Sequence, residues 1–358
     1  MSKSSSCLTL FCFLSGTIFS QTKLISYSDK HISYEGRIVY TTDAAVLMWP
    51  GTSLKINFIG TNISGEFKDA DTSNYYNLII DNDSIYKIQF DTSKKIVALA
   101  SNLSYGKHAI QIFKRTEWDK GKTFFYGFEF NGKNKLLKPG KLPKRKIEFF
   151  GNSITCGYAI NDTVNDSPDG YYESNYDAYA AITARHFNAQ YYCTSKSGIG
   201  ITVSWFPLIM PEMYNRLDPT DSTSKWDFSK YTPDVVVINL LQNDSWIVNM
   251  PDNEQFKKRF GTKAPDSNFI INAYKKFVQT IRTTYTNAQI ICMLGNMDIT
   301  KKDSPWPGYV SKAVDELHDK KIFTYFSPYK ETPGHPKVKE QQMLADGLIQ
   351  FIDQYIKW

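Results

Sequence analysis

The chain changes its grammar once, near residue 131, and that change constrains the fold more than any other feature. Residues 22–130 read almost entirely as strands, for example Arg37-Ile38-Val39-Tyr40-Thr41, Ser53-Leu54-Lys55-Ile56-Asn57-Phe58 and Ala109-Ile110-Gln111-Ile112-Phe113. Apolar and polar residues alternate in several of them, the period of a strand with one face buried. Turn signals separate the runs: Pro50-Gly51, Gly60-Thr61-Asn62, Asp81-Asn82-Asp83 and Tyr105-Gly106-Lys107. Short strands spaced this way predict an all-β sandwich or jelly roll. The 23 Tyr and 23 Phe suit strands as well.

Residues 131–146 are rich in lysine and broken by Pro139-Gly140 and Pro143, and they read as a linker or an exposed crossing strand. From 147 to 358 apolar strands alternate with amphipathic helices. Strands are expected at Ile147–Phe150, Gln190–Thr194, Asp234–Leu240, Gln289–Gly295 and Lys321–Phe326. Helices are expected over 174–187, 267–285 and 309–319, with a last one carrying Leu344, Leu348, Phe351, Ile352 and Tyr355. This is the pattern of an α/β three-layer domain around a five-stranded parallel sheet. A length of 358 residues agrees with two domains rather than one.

Residues 1–20 read as a secretory signal. Lys3 opens it, Cys7 to Phe19 is mostly apolar but too short to span a bilayer, and Ser20 precedes a plausible cut before Gln21. No later segment is long and apolar enough to span, so a secreted or periplasmic protein is expected. Of the five cysteines, Cys7 and Cys12 would leave with the signal. Cys156, Cys193 and Cys292 form neither a disulfide framework nor a metal pattern. Cys193 and Cys292 lie in apolar strands and read as buried small hydrophobes. The net charge is +6, and seven positive charges fall in the stretch Lys133 to Lys146. Elsewhere the signs are mixed, which argues against a nucleic-acid-binding face.

Ligands of parallel sheets bind beyond the carboxyl ends of the strands, and four polar or glycine-bearing turns converge there: Gly151-Asn152-Ser153-Ile154-Thr155, Ser197-Gly198-Ile199-Gly200, Gln242-Asn243-Asp244 and Gly334-His335-Pro336. They contain the parts of acyl transfer. A serine hydroxyl is a poor nucleophile until a base takes its proton, and histidine suits that task. The oxyanion that follows needs preplaced donors, and the N–H groups of Ser153 and Gly198 with the side-chain amide of Asn243 would supply three. Each residue also has a plainer reading. Ser153 caps helices well, Asn243 and Asp244 form turns, and Gly200 reads as a turn residue. Trp246 and Trp306 either line a substrate pocket or fill the core. Among the histidines, His31 and His108 lie in the β half and His186 and His318 on expected helices, which leaves His335 as the base.

The four turns resemble the four blocks of SGNH (GDSL-type) hydrolases, with Ser153, Gly198, Asn243 and His335 at the positions that name the family. The stretches YEGRIVY at 34–40, WPGTSLKINFIGTNISGEF at 49–67 and NYYNLIIDND at 74–83 are similar to the jelly roll that precedes the SGNH domain in carbohydrate esterase family 2. The resemblance implies removal of acetyl groups from xylan or a related polysaccharide, without a metal or other cofactor. Three departures stand out. Thr332 occupies the place of the usual acid three residues before the histidine, so a Ser153–His335 dyad is expected, assisted by a carbonyl near Pro333 or by Glu331. Asn152 replaces the common Asp. Leu241 and Gln242 replace the usual Gly-Thr, a change expected to reshape the pocket floor. Two rival functions remain open at this point: an esterase or lipase acting on small or lipid esters, and a non-catalytic carbohydrate-binding protein in which the missing acid marks decay.

Overall fold

The computed structural model describes residues 23–130 and 134–358. The signal expected at 1–20 lies outside them, as do residues 131–133 of the expected linker.

The β half is a sandwich of two antiparallel sheets. One is built around Thr123–Phe130, which pairs with Lys23–Ser26, Ala45–Leu47 and Ile63–Asp69. The other is built around Ser53–Gly60, flanked by Gly106–Lys114, Ile32–Glu35 and the short strand Lys135–Leu136. Alternation sets which face is buried. In Ser53–Gly60 the side chains of Leu54, Ile56 and Phe58 point inward, while Lys55 is exposed. The register places Ile56 opposite Ile110 and Leu54 opposite Ile112, and these meet Phe67, Phe125 and Phe128 from the facing sheet in one core. Residues 135–137 join this sheet, where the Leu137 N–H reaches the Asn57 carbonyl at 2.9 Å, so part of the lysine-rich stretch is an edge strand.

The second half holds a five-stranded parallel sheet. Its order is Ala189–Ser195, Arg145–Gly151, Val235–Asn239, Gln289–Leu294, Ile322–Phe326. Every residue of Val235–Asn239 is buried, as both-face coverage requires. Val236, Ile238, Ile290 and Leu294 face helices Ser267–Thr284 and Trp306–Asp315. Val235, Val237, Ile291 and Met293 face helices Tyr179–His186 and Val338–Tyr355. The expected helix at 174–187 begins only at Tyr179. Asn175 is held outside it, its N–H on the Arg115 carbonyl and its amide on the Thr155 carbonyl. The expected helix at 309–319 runs from Trp306 to Asp315, because Pro307 fits the first turn and His318 turns out at φ +50°. Cys193 and Cys292 are buried in their strands, as expected. No helix among the described residues is long and apolar enough to cross a membrane.

The two halves share their cores. Val46, Met48 and Trp49 of the sandwich pack into one α/β core, and Ile79 and Phe113 into the other. Fully burying such a side chain contributes about 1.5–3 kcal/mol. A buried polar latch aligns the halves. Arg37, 2% exposed, donates to Glu148 at 2.8 Å and to the carbonyls of Tyr214 and Arg216. Glu148 lies in Arg145–Gly151, the second strand of the parallel sheet, so the β half is registered directly on the strand that leads to Ser153.

Candidate active site

Strand Arg145–Gly151, second in the parallel sheet, ends at Gly151, which is paired in register with Ser195 on one side and Asn239 on the other. Ser153, Gly198 and Asn243 follow these three aligned positions, which is why residues far apart in sequence meet at one sheet edge. The chain turns sharply after Gly151, where an added Cβ would lie 2.0 Å from Thr155 Oγ1. Asn152 then caps a single helical turn, Ser153–Cys156, its side-chain oxygen accepting the Ile154 N–H at 3.1 Å. Capping needs only that oxygen, so Asn serves where Asp is common.

Ser153 is 5% exposed, and its hydroxyl lies 2.9 Å from His335 Nε2. The other ring nitrogen, Nδ1, lies 2.7 Å from Asp166 Oδ2. A carboxylate only accepts, so Nδ1 carries the proton and Nε2 presents a lone pair to the serine. This corrects the expectation of a dyad. Glu331 is exposed and stands in the left-handed region at φ +60°, and the Pro333 carbonyl accepts from Lys330. Thr332 bonds Glu340 and Lys330 instead of the imidazole. The acid comes from the loop after the nucleophile's turn.

That loop is held by its own Asp162 and by Lys337, at the start of the last helix. Asp162 accepts the N–H groups of Val164, Asn165 and Ser167. Lys337 reaches the carbonyls of Ala159 and Asn165, both at 3.0 Å, and Asp166 Oδ1 at 2.8 Å. The bond from His335, aided by Lys337, holds the Asp166 carboxyl well below the usual carboxylate range. Gly334 has φ +70°, and a Cβ there would lie 2.9 Å from the Asp166 carboxylate, so both its backbone and its space call for glycine.

The donors for negative charge are also built in. Among the described residues no hydrogen bond takes up the N–H of Ser153 or of Gly198. The Asn243 side chain is 2% exposed. Its oxygen accepts from Trp205 Nε1 at 3.0 Å and its Nδ2 donates one hydrogen to the Ile199 carbonyl at 2.8 Å. The second hydrogen of Nδ2 is left for a ligand. Asp244 anchors the Gly198 loop from below: it accepts the N–H groups of Ile201, Thr202 and Val203 and the Thr202 hydroxyl. Burial pushes its carboxyl up. Gly200 is structural, since an added Cβ would strike the Val203 carbonyl at 2.0 Å and the Asp244 carboxylate at 2.4 Å. Leu241 adopts φ +75°, a conformation glycine takes freely, and this chain holds it with a fully buried leucine. The leucine packs into the α/β core, and the Gln242 side chain accepts the Ile299 N–H at 3.3 Å.

The two tryptophans part company. Trp246 lines a depression of about 520 Å³ beside His335, together with Asp166, Met297 and Tyr329, and is fixed by its Nε1 donating to Asp298 at 2.8 Å. Trp306 does not line it. The ring is 8% exposed and packs in the core with Val310 and Ile299, because the residue begins a helix whose apolar side faces the sheet. Sequence reasoning missed Asp166, one of several Asp in a turn-rich loop, and Trp205, which is 45% exposed and packs beside Gly198.

A serine hydroxyl, an imidazole, a carboxylate and unused N–H donors at one strand edge define a serine carboxylic-ester hydrolase, and comparison with known proteins agrees. Residues 149–348 match the GDSL-like lipase/acylhydrolase family and residues 34–139 match the family described as carbohydrate esterase 2 N-terminal. The chain belongs to carbohydrate esterase family 2. It is 33% identical to the cellulase/esterase CelE of Acetivibrio thermocellus over 346 residues, covering 91% of this chain but 40% of that protein's length. It is 26% identical to an acetylxylan esterase / glucomannan deacetylase of Cellvibrio japonicus, covering 97% of this chain and 95% of that one. The solved structure of a family two carbohydrate esterase from Clostridium thermocellum, in complex with cellohexaose, superposes with a TM-score of 0.80 at 33% identity, over 90% of this chain and 98% of that one.

Proposed function

We propose that the protein is a secreted carbohydrate O-acetyl esterase that removes acetyl groups from xylan or a related polysaccharide through an acetyl-enzyme. The observation that carries the reading is the relay Ser153–His335–Asp166, with contacts of 2.9 and 2.7 Å, beside unused donors. Ser153 Oγ attacks the ester carbonyl carbon while its proton passes to His335 Nε2. The N–H groups of Ser153 and Gly198 and the free amide hydrogen of Asn243 hold the oxyanion. Collapse expels the sugar oxygen, which takes the proton from His335. Water, deprotonated by the same nitrogen, then attacks the acetyl carbonyl, and acetate leaves with Ser153 restored. Asp166 keeps the imidazole in the required tautomer throughout and balances its positive charge when it is protonated.

The choice of an acetylated polysaccharide rests on the names of the relatives and on the cellohexaose bound to the Clostridium thermocellum structure. Export rests on the signal-like composition of residues 1–20. The substrate test is acetate release from acetylated xylan and acetylated glucomannan, set against p-nitrophenyl acetate and a long-chain p-nitrophenyl ester. Release from at least one glycan, with the long-chain ester a poor substrate, is expected. Turnover of the long-chain ester with no acetate from either glycan overturns the reading. N-terminal sequencing of the exported protein should begin at Gln21, and a chain retained in the cytoplasm with Met1 in place contradicts export.

A further inference from the structure

The turn that presents the Gly198 N–H is gripped from the other domain. Lys196–Ser197–Gly198–Ile199 is closed by the Ile199 N–H on the Lys196 carbonyl at 3.3 Å. Gly198 has φ +82°, and Ser197 is not among the residues with positive φ. These values define a type II turn with Ser197 and Gly198 at its centre. In such a turn Ser197 is extended, so the N–H groups of Ser197 and Gly198 point to different sides. The Ser197 N–H donates to Glu117 Oε2 at 2.7 Å, and the Gly198 N–H is left free for the ligand.

Glu117 belongs to the β half, just beyond strand Gly106–Lys114, and is 1% exposed. Its Oε2 also accepts from Lys196 Nζ at 3.2 Å and faces Cys156 Sγ at 3.8 Å. Cys156 closes the helical turn that Ser153 opens. One buried carboxylate from the sandwich thus touches both the turn that carries the nucleophile and the turn that carries an oxyanion donor. Its own backbone is fixed, the Glu117 N–H donating to Glu173 Oε1 at 2.6 Å, and Asp119 takes a second bond from Lys196 at 2.5 Å.

We infer that Glu117 is a positioning residue for ester hydrolysis, setting the Gly198 N–H relative to Ser153, so that the β-sandwich is part of the catalytic apparatus as well as a neighbour of it. The inference rests on the ester-hydrolase reading of the Ser153 site and is independent of which glycan is the substrate. Oxyanion donors act on the transition state more than on the bound ester. A displaced Gly198 N–H therefore lowers kcat and leaves KM nearly alone, whereas damage to ester binding raises KM.

The test measures kcat and KM for p-nitrophenyl acetate in the full chain, in Glu117→Gln and in Ser197→Pro, with thermal melts of each. Ser197→Pro removes the same hydrogen bond from its other end at a position where a type II turn accepts proline. Both variants are expected to lose about tenfold to 100-fold in kcat, with KM within about twofold of the parent. A folded Glu117→Gln with kcat within about twofold of the parent overturns the inference, as does a loss carried mainly by KM. If Glu117→Gln fails to fold, Ser197→Pro decides by the same criteria. A parent chain without turnover would instead sink the reading of Ser153, and the inference with it.

Discussion

Asp166 holds His335 at two points: its Oδ2 accepts the ring Nδ1–H at 2.7 Å and the backbone N–H of the same residue at 2.8 Å. One carboxylate thereby sets both the tautomer of the base and the place of the loop that carries it. Asp166→Asn keeps the shape but lets an amide N–H face Nδ1, which favours the wrong tautomer. The expected loss in kcat is about 100-fold or more, read with p-nitrophenyl acetate at neutral pH. The carboxyl titrates below its usual range because of the His335 bond, so its contribution to stability is present above its unfolded pKa, about 3.9, and is lost as pH falls through the lower folded value. The gap in melting temperature between parent and Asp166→Asn should stay open down to about pH 4 and close only in stronger acid.

Gly334 tests the same support from its other side. Gly334→Ala places a Cβ against the Asp166 carboxylate at a left-handed backbone position. The predicted result is a kcat loss similar in size to that of Asp166→Asn, with the double variant little worse than either single one, since both changes disable one contact. Fully multiplicative losses would show that Gly334 acts elsewhere.

Trp205 and Asn243 form a second coupled pair. Asn243→Ala removes an oxyanion donor and should cost about 100- to 1000-fold in kcat. Trp205→Phe keeps an aromatic side chain but removes the N–H that fixes which way the Asn243 amide faces. It is expected to cost roughly tenfold in the parent and almost nothing in the Asn243→Ala background. Equal losses in both backgrounds would give Trp205 a role of its own.

How much of this was legible in the sequence depends on the kind of signal involved. Alternation in Ser53–Phe58 and the continuous apolar run Val235–Ile238 announce half-buried and fully buried strands, so both architectures could be read directly. Ser153, Gly198, Asn243 and His335 sit beside strand ends or a helix start, where short local patterns carry position. Asp166 and Glu117 do their work across distances of 169 and 80 residues, and neither has a periodic or local mark. Asp166 stands among turn-forming Asn, Asp and Ser residues that look alike in sequence. Trp306-Pro307 resembles a loop, because proline breaks most helices; at the first turn it does not, and the ring goes to the core.

Lys114 gives a stability test of the buried network beside Glu117. Its ammonium is fully buried, donating to Thr116 Oγ1 at 3.1 Å and to the Glu117 carbonyl at 3.4 Å. Burial pushes its pKa down to about 8, against the pull of Asp69, Glu173, Asp119 and Glu117. Between about pH 8 and the unfolded value of about 10.4, the unfolded chain keeps a proton that the folded chain has lost, so stability rises with pH. Relative to Lys114→Met, the parent should gain about 2 kcal/mol between about pH 7 and pH 9.5, measured by urea unfolding. A constant difference across that range would contradict the assignment.

Hydrolysis depends on one oxygen atom, Ser153 Oγ, and that atom can be labelled. The full chain and Ser153→Ala are treated with an ester-like phosphonate, digested and analysed by mass spectrometry, with acetate release followed in parallel. A single phosphonyl group is expected on the peptide containing Ser153, with loss of turnover in step with labelling and neither label nor turnover in a folded Ser153→Ala. Label on another residue, or acetate released by the alanine variant at a rate near the parent's, would contradict that role for Ser153.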